Sequence, residues 1–132
     1  MEILQITADM VVNGLYAGPD VSNYSGHIHI SAGLGCVKFT GSLMAAGRIR
    51  AGAGSGIEAG EGIEAGWGIK AGEGIEAGFS VCAKWVSARL RIFVGLCMYR
   101  LPTVEESQLR AELRSGTLAF GEHVQPVTDG QK

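Results

Sequence analysis

At 132 residues with 46% hydrophobic residues, the chain is long enough for one domain with a core. Its net charge of −2 argues against a general nucleic-acid binder, and its longest apolar run, near 90–99, contains Arg91 and is too short to span a bilayer. Three cysteines, Cys36, Cys82 and Cys97, without CxxC spacing and with no basic leader ahead of them, point to reduced thiols in a cytoplasmic setting, Cys36 and Cys82 on strands. Only 7% of residues are aromatic, whereas 21 are glycine, and 11 of those glycines fall between Gly47 and Gly78.

The first segment, 1–26, reads as an N-terminal cap and loop. Residues 1–7 alternate as a strand, Asn13-Gly14 is a hairpin turn signal, and 18–26 is a loop. From His27 the pattern becomes strands, with Ile28, Ile30, Val37 and Phe39 facing inward. Between Gly56 and Gly78 nearly the same six residues then occur four times: GIEAGE, GIEAGW, GIKAGE and GIEAGF. In each unit Ile and Ala point inward and the residue between them outward, and two glycines supply a tight corner through positive φ angles. Three such strands close a triangular coil of roughly eighteen residues, and coils stack at about 4.8 Å. The predicted fold is an all-β triangular β-solenoid spanning 27–100. A disordered Gly-rich linker has no reason to keep Ile57, Ile63, Ile69 and Ile75 in phase. The phase extends back through Val37, Leu43 and Ile49, with a two-residue insertion before Ile57.

Past the glycines, Val81-Cys82-Ala83, Val86-Ser87-Ala88 and Leu90-Arg91-Ile92 form one bulkier coil. The segment 101–124 reads as a C-terminal cap. In it Thr103-Val104-Glu105-Glu106 resembles a capping box that opens a short helix through about Arg114, with Leu109 and Leu113 as its apolar pair. Leu118, Phe120 and Val124 then share one strand face, and 125–132 is a frayed tail.

Stacking at coil period defines outward columns: Lys38, Glu58 and Glu76; Met44, Glu64 and Cys82; Arg50, Lys70 and Ser87. At the corners Glu61 sits under Phe79, Trp67 under Trp85 and Glu73 under Arg91. The solenoid is therefore electrostatically sided. The candidate partner-binding residues are Glu58, Glu61, Glu64, Glu73 and Glu76, together with Trp67 and Trp85, which form either a contact edge or a self-stacked corner.

No catalytic residue, metal ligand set or cofactor is assigned. The glutamates recur evenly, whereas acid/base chemistry needs one carboxylate in a distinct environment. His27 and His29, projecting from one strand, and His123 are candidates only for an acyltransferase-like base, or for a metal with a third ligand that the spacing does not supply.

The Ile-x-Ala-Gly-x-Gly coils over 37–94 resemble the β-helical core of bactofilins, polymer-forming cytoskeletal proteins of bacteria. The GIEAGWGI repeat, the segment from Leu90 to Cys97 and the ending from Leu113 to Glu122 resemble small hexapeptide-repeat proteins of phages and prophages. That resemblance implies a non-enzymatic module acting in the cytoplasm of a bacterial host. Its expected role is to bind and block a host protein or complex, such as a CRISPR effector, as a monomer or homodimer without membrane or direct nucleic-acid contact. The alternatives are a bactofilin-like self-assembling scaffold and a hexapeptide-repeat acyltransferase.

Overall fold

The computed structural model describes residues 2–96 and 101–124; the expected tail at 125–132 and Cys97 lie outside them. The chain is a β-solenoid of about five turns. Its strands are β1 (Ile3–Ile6), β2 (Val11–Val12), β3 (Leu15–Tyr16), β4 (His27–Ile30), β5 (Gly35–Phe39), β6 (Leu43–Ala45) and β7 (Ile49–Ala53). They continue with β8 (Ser55–Ala59), β9 (Ile63–Ala65), β10 (Gly68–Gly72), β11 (Ile75–Ala77), β12 (Val81–Val94), β13 (Gln108–Phe120) and β14 (Glu122–Val124).

Parallel pairing sorts these strands into three faces. Face A stacks β1, β4, β7, β10, the middle of β12 and β13. Face B stacks β3, β5, β8, β11 and the end of β12. Face C stacks β6, β9, the start of β12, the start of β13 and β14. Each face drives one column of branched aliphatics into the core: Ile28, Ile49, Ile69 and Val86 on A, Val37, Ile57, Ile75 and Ile92 on B, and Leu43, Ile63, Val81 and Leu109 on C. None of them is more than 1% exposed. Strict phase in the sequence thus becomes vertical contact in the fold, and β-branched residues suit the pleated wall.

The repeat glycines serve a different purpose from the expected one. None between Gly56 and Gly78 has a positive φ; that conformation is confined to the hairpin at Asn13-Gly14 and to irregular corners such as Gly33, Gly35 and Gly54. Instead, the first glycine of a unit faces the rung below. A Cβ on Gly60, Gly66 or Gly72 would overlap the carbonyl oxygen of Thr40, Ala46 or Gly52. The second faces the rung above, where a Cβ on Gly56, Gly62 or Gly74 would press on the carbonyl of Gly74, Ser80 or Arg91 at 3.1, 3.3 and 2.8 Å. Two glycines per unit therefore let corners stack at strand spacing.

The insertion before Ile57 stacks on the corner beneath it. Gly33 and Gly35 donate their N–H groups to the carbonyls of Ala53 and Gly54, and the buried Ser55 hydroxyl donates to the Ser31 carbonyl and accepts from the Leu34 N–H at 3.0 Å. At the N-terminal end the predicted hairpin forms, Val12 opposite Leu15, and Leu15 joins Lys38 on face B. It leaves that end incompletely covered: Ile3, Val12 and Leu15 are 51%, 59% and 40% exposed.

Four expectations are corrected toward the C-terminus. The helix through Arg114 is absent: the Thr103 and Glu106 capping box closes a single 3-10 turn, Glu105–Ser107, and the chain then runs as β13. Leu109 and Leu113 stand on Val81 and Val86, on two different faces. The open edge of β12 offers hydrogen bonds and apolar contact that a lone amphipathic turn cannot match. In β12 the third unit is Ile92-Phe93-Val94, which sits over Ile75-Glu76-Ala77. Val124 pairs with Arg110 on face C while Phe120 pairs with Phe93 on face B, because the chain turns a corner at Gly121, with φ 108°.

Candidate binding surfaces

The outward columns fall as expected. Lys38, Glu58 and Glu76 share face B; Met44, Glu64 and Cys82 share face C; Arg50, Lys70 and Ser87 share face A. The acids do not all converge. Glu64 lies on face C, and Glu61 sits at the corner between B and C, where it accepts from the Ser42 hydroxyl at 3.1 Å and its carbonyl accepts from the Phe79 N–H. Glu73 lies at the corner between A and B. It pairs with Arg89 at 3.7 Å and accepts from the Arg89 and Leu90 N–H groups, so it does not sit under Arg91.

Two acids do meet. Glu73 and Glu76 line a groove along face B whose floor is Gly56 and Gly74, because glycine leaves no side chain between the rungs, and Glu58 stands beside it on the rung below Glu76. The groove encloses about 200 Å³, from Cys36 at one end to Leu90, Arg91 and Phe93 at the other, and opens beyond Gly74 into a cleft of about 660 Å³ that reaches Arg89, Gly116 and Thr117. Lys38 reaches Glu58 at 3.8 Å, and among the described residues no cation pairs with Glu76. Burial, then the stacked Glu58 carboxylate, raise the Glu76 pKa above the ordinary 4.5, with Lys38 opposing them. The same surroundings push the Cys36 thiol up to about 11, burial first and Glu58 next, so it stays protonated at neutral pH.

A raised carboxyl pKa means that the folded state holds the proton more tightly than the unfolded chain. Stability from this group is complete below pH 4.5 and lost as pH rises through the folded pKa, leaving the ionised pair unfavourable at neutrality. Glu76→Gln is therefore expected to raise the melting temperature at pH 7 by about 2 °C, from about 0.5 kcal/mol for a partly solvated like-charge pair. The gain should vanish near pH 4, and an equal gain at both pH values would show that charge is not its source.

The two tryptophans separate. Val81 and Val86 are one residue closer than neighbouring units of the repeat, so Trp85 registers with Gly68 and not with Trp67. The Trp85 ring lies over Gly68, where a Cβ would overlap it, and under the Arg114 guanidinium, 4.8 Å from its centroid. Trp67 is 49% exposed and sits edge to face against His27 at 5.4 Å.

His27 and His29 share one strand as expected, but both are drawn into the fold. His27 is 8% exposed at the corner beneath Trp67, while His29 is half-buried on face A. Arg48 holds both: its backbone N–H donates to His27 Nδ1 at 2.9 Å and its Nε–H to His29 Nε2 at 3.2 Å. Burial, then the Arg48 charge, lower both pKa values, with Arg50 adding to the effect at His29. A general base needs such a lone pair directed at substrate, and these two are engaged. His123 Nε2 lies 2.7 Å from the Ala111 carbonyl. Among the described residues no three His, Cys, Asp or Glu side chains are grouped to hold a metal, and no helix is long and apolar enough to cross a membrane.

The cations of face A stand outside the perfect repeat or occur once within it, so the repeat itself does not mark them. Arg50 and Lys70 occupy adjacent rungs with neutral His29 below and Ser87 above, and Arg48 flanks them. Their signal was coil-period spacing, which becomes visible only when the insertion before Ile57 is counted. No protein-family model, curated protein or solved structure matches this chain.

Proposed function

We propose that the protein is a non-enzymatic binding module that seats a basic and apolar segment of another protein in the groove of face B. The observation that carries this reading is the half-buried Glu76 carboxylate, raised in pKa and without a paired cation among the described residues, beside the apolar walls of Leu90 and Phe93. A lysine or arginine of the partner would relieve the Glu58 and Glu76 repulsion, and an apolar neighbour would fill the space over Phe93. The resemblance of the repeats to phage proteins makes a host defence complex, such as a CRISPR effector, the proposed partner class, and inhibition by occupation of its surface the proposed mode.

The test is capture of the partner from bacterial lysate, followed by binding with the purified components. Glu58→Gln together with Glu76→Gln is expected to abolish binding with the fold intact, whereas Glu64→Gln on face C leaves it unchanged. Undiminished binding by the double variant would reject the groove.

A self-assembling scaffold is the second reading, favoured by the exposed Ile3, Val12 and Leu15 at the first turn. Light scattering across a wide concentration range separates the two. Assemblies that grow with concentration put the scaffold first, and a fixed monomer or dimer favours the discrete module.

A further inference from the structure

We propose that face A carries a second, independent site, a strip made by Arg48, Arg50 and Lys70 that binds a carboxylate-rich segment of a protein chain. The first support is charge left uncompensated within the fold. Among the described residues, Lys38, Arg89 and Arg114 contact Glu58, Glu73 and Glu112, but no carboxylate pairs with Arg50 or Lys70. These two like charges stand directly opposite each other in neighbouring strands, an arrangement that opposes folding unless an anion meets them.

Shape is the second support. A cleft of about 290 Å³ lies between Arg48, Arg50, Lys70 and Trp85. A second one of about 510 Å³ adjoins the same two cations across the small residues Gly52 and Gly72, and reaches Arg89, Ser87 and Ser115. An extended acidic chain lying along the solenoid axis meets the cations on one flank, and at the end it reaches Ser87 and Ser115, whose hydroxyls bond to each other and, from Ser115, to the Ala88 carbonyl. Rigidity helps: the strip's backbone is held in the ladder, so few degrees of freedom are lost on binding.

The chemistry favours a peptide over nucleic acid. Single strands bind by stacking bases on free aromatic faces as well as by charge. Trp85, the ring in this cleft, is sandwiched between Gly68 on the rung below and the Arg114 guanidinium on the rung above. Charge is what the strip offers, and carboxylates answer it. His29, the next group down the column, stays neutral while Arg48 donates to its Nε2, so it adds no charge at neutral pH.

The test is fluorescence anisotropy of the full chain with a labelled oligoglutamate peptide at low salt, with oligothymidylate of equal length as the comparison. Saturable peptide binding is expected to weaken roughly tenfold in Arg50→Gln with Lys70→Gln. Arg110→Gln, on face C, should bind as the parent does, and the parent's binding should weaken as salt is raised. Arg50 and Lys70 are exposed and Arg110 is half-buried, and melting curves check that all the variants fold. Absence of saturable peptide binding, an equal loss in Arg110→Gln, or tighter binding of oligothymidylate than of peptide would each overturn the proposal. Because Arg48, Arg50 and Lys70 do not line the face B groove, either site can fail without the other.

Discussion

Replacing Ile57 with alanine is expected to remove about 2–5 kcal/mol of stability, the range for truncating a large, fully buried aliphatic side chain. Ile57 is 0% exposed and stands in the middle of its column, with Val37 beneath it and Ile75 above. Each rung of a solenoid is stabilised by its two neighbours, so a cavity at a central rung weakens both interfaces. The stiff walls cannot collapse into the space, because the backbone on each side is fixed by ladder hydrogen bonds. Urea unfolding followed by far-UV circular dichroism would measure the loss. Ile3→Ala, at a position 51% exposed at the first turn, supplies the contrast and should cost under about 1 kcal/mol. A small loss at Ile57 would contradict the three-column core.

Gly72→Ala is expected to be about as damaging, for a reason that alanine substitutions in loops seldom show. Its new Cβ would overlap the Gly52 carbonyl oxygen on the rung below and approach the Ala53 Cα at 2.8 Å. Both contacts are backbone, so relief requires the rungs to move apart. Overpacking of this kind costs about 1–3 kcal/mol, and the broken ladder hydrogen bonds add to it. Gly41→Ala is the control: the nearest atom to its Cβ is the Glu61 Oε1 at 3.9 Å, and the change should be neutral or stabilising. Thermal melts of the two variants are expected to differ by about 5 °C or more. Equal melting temperatures would mean that the corner glycines are not there for close approach.

These two predictions locate what the groove depends on. Ile57 and Ile75 hold Glu58 and Glu76 outward at rung spacing, and Gly56 and Gly74 keep the floor between them open. The groove is thus a consequence of the same residues that stack the coils. A side chain at Gly74 would press on the Arg91 carbonyl and narrow the channel at once.

Much of this was legible in the residue order. A period of six with Ile and Ala inward determines three faces, a narrow aliphatic core, and the columns of Lys38, Glu58 and Glu76 and of Arg50, Lys70 and Ser87, because a stacked coil turns spacing into height. The hairpin at Asn13-Gly14 was equally readable, since positive φ at both central residues selects those two residue types. What only the tertiary structure decided lies where local and long-range preferences compete. Thr103 and Glu106 form the capping box that their spacing encodes, yet the open edge of β12 draws Leu109 and Leu113 into a strand. One residue fewer between Val81 and Val86 places Trp85 on Gly68 instead of on Trp67, and a slip of one residue is set by ladder pairing that no local pattern records. The convergence of Glu73 and Glu76 on one groove beside Glu58, with Glu61 and Glu64 turned elsewhere, depends on which corner each residue reaches, and that is fixed by the summed lengths of the rungs beneath it.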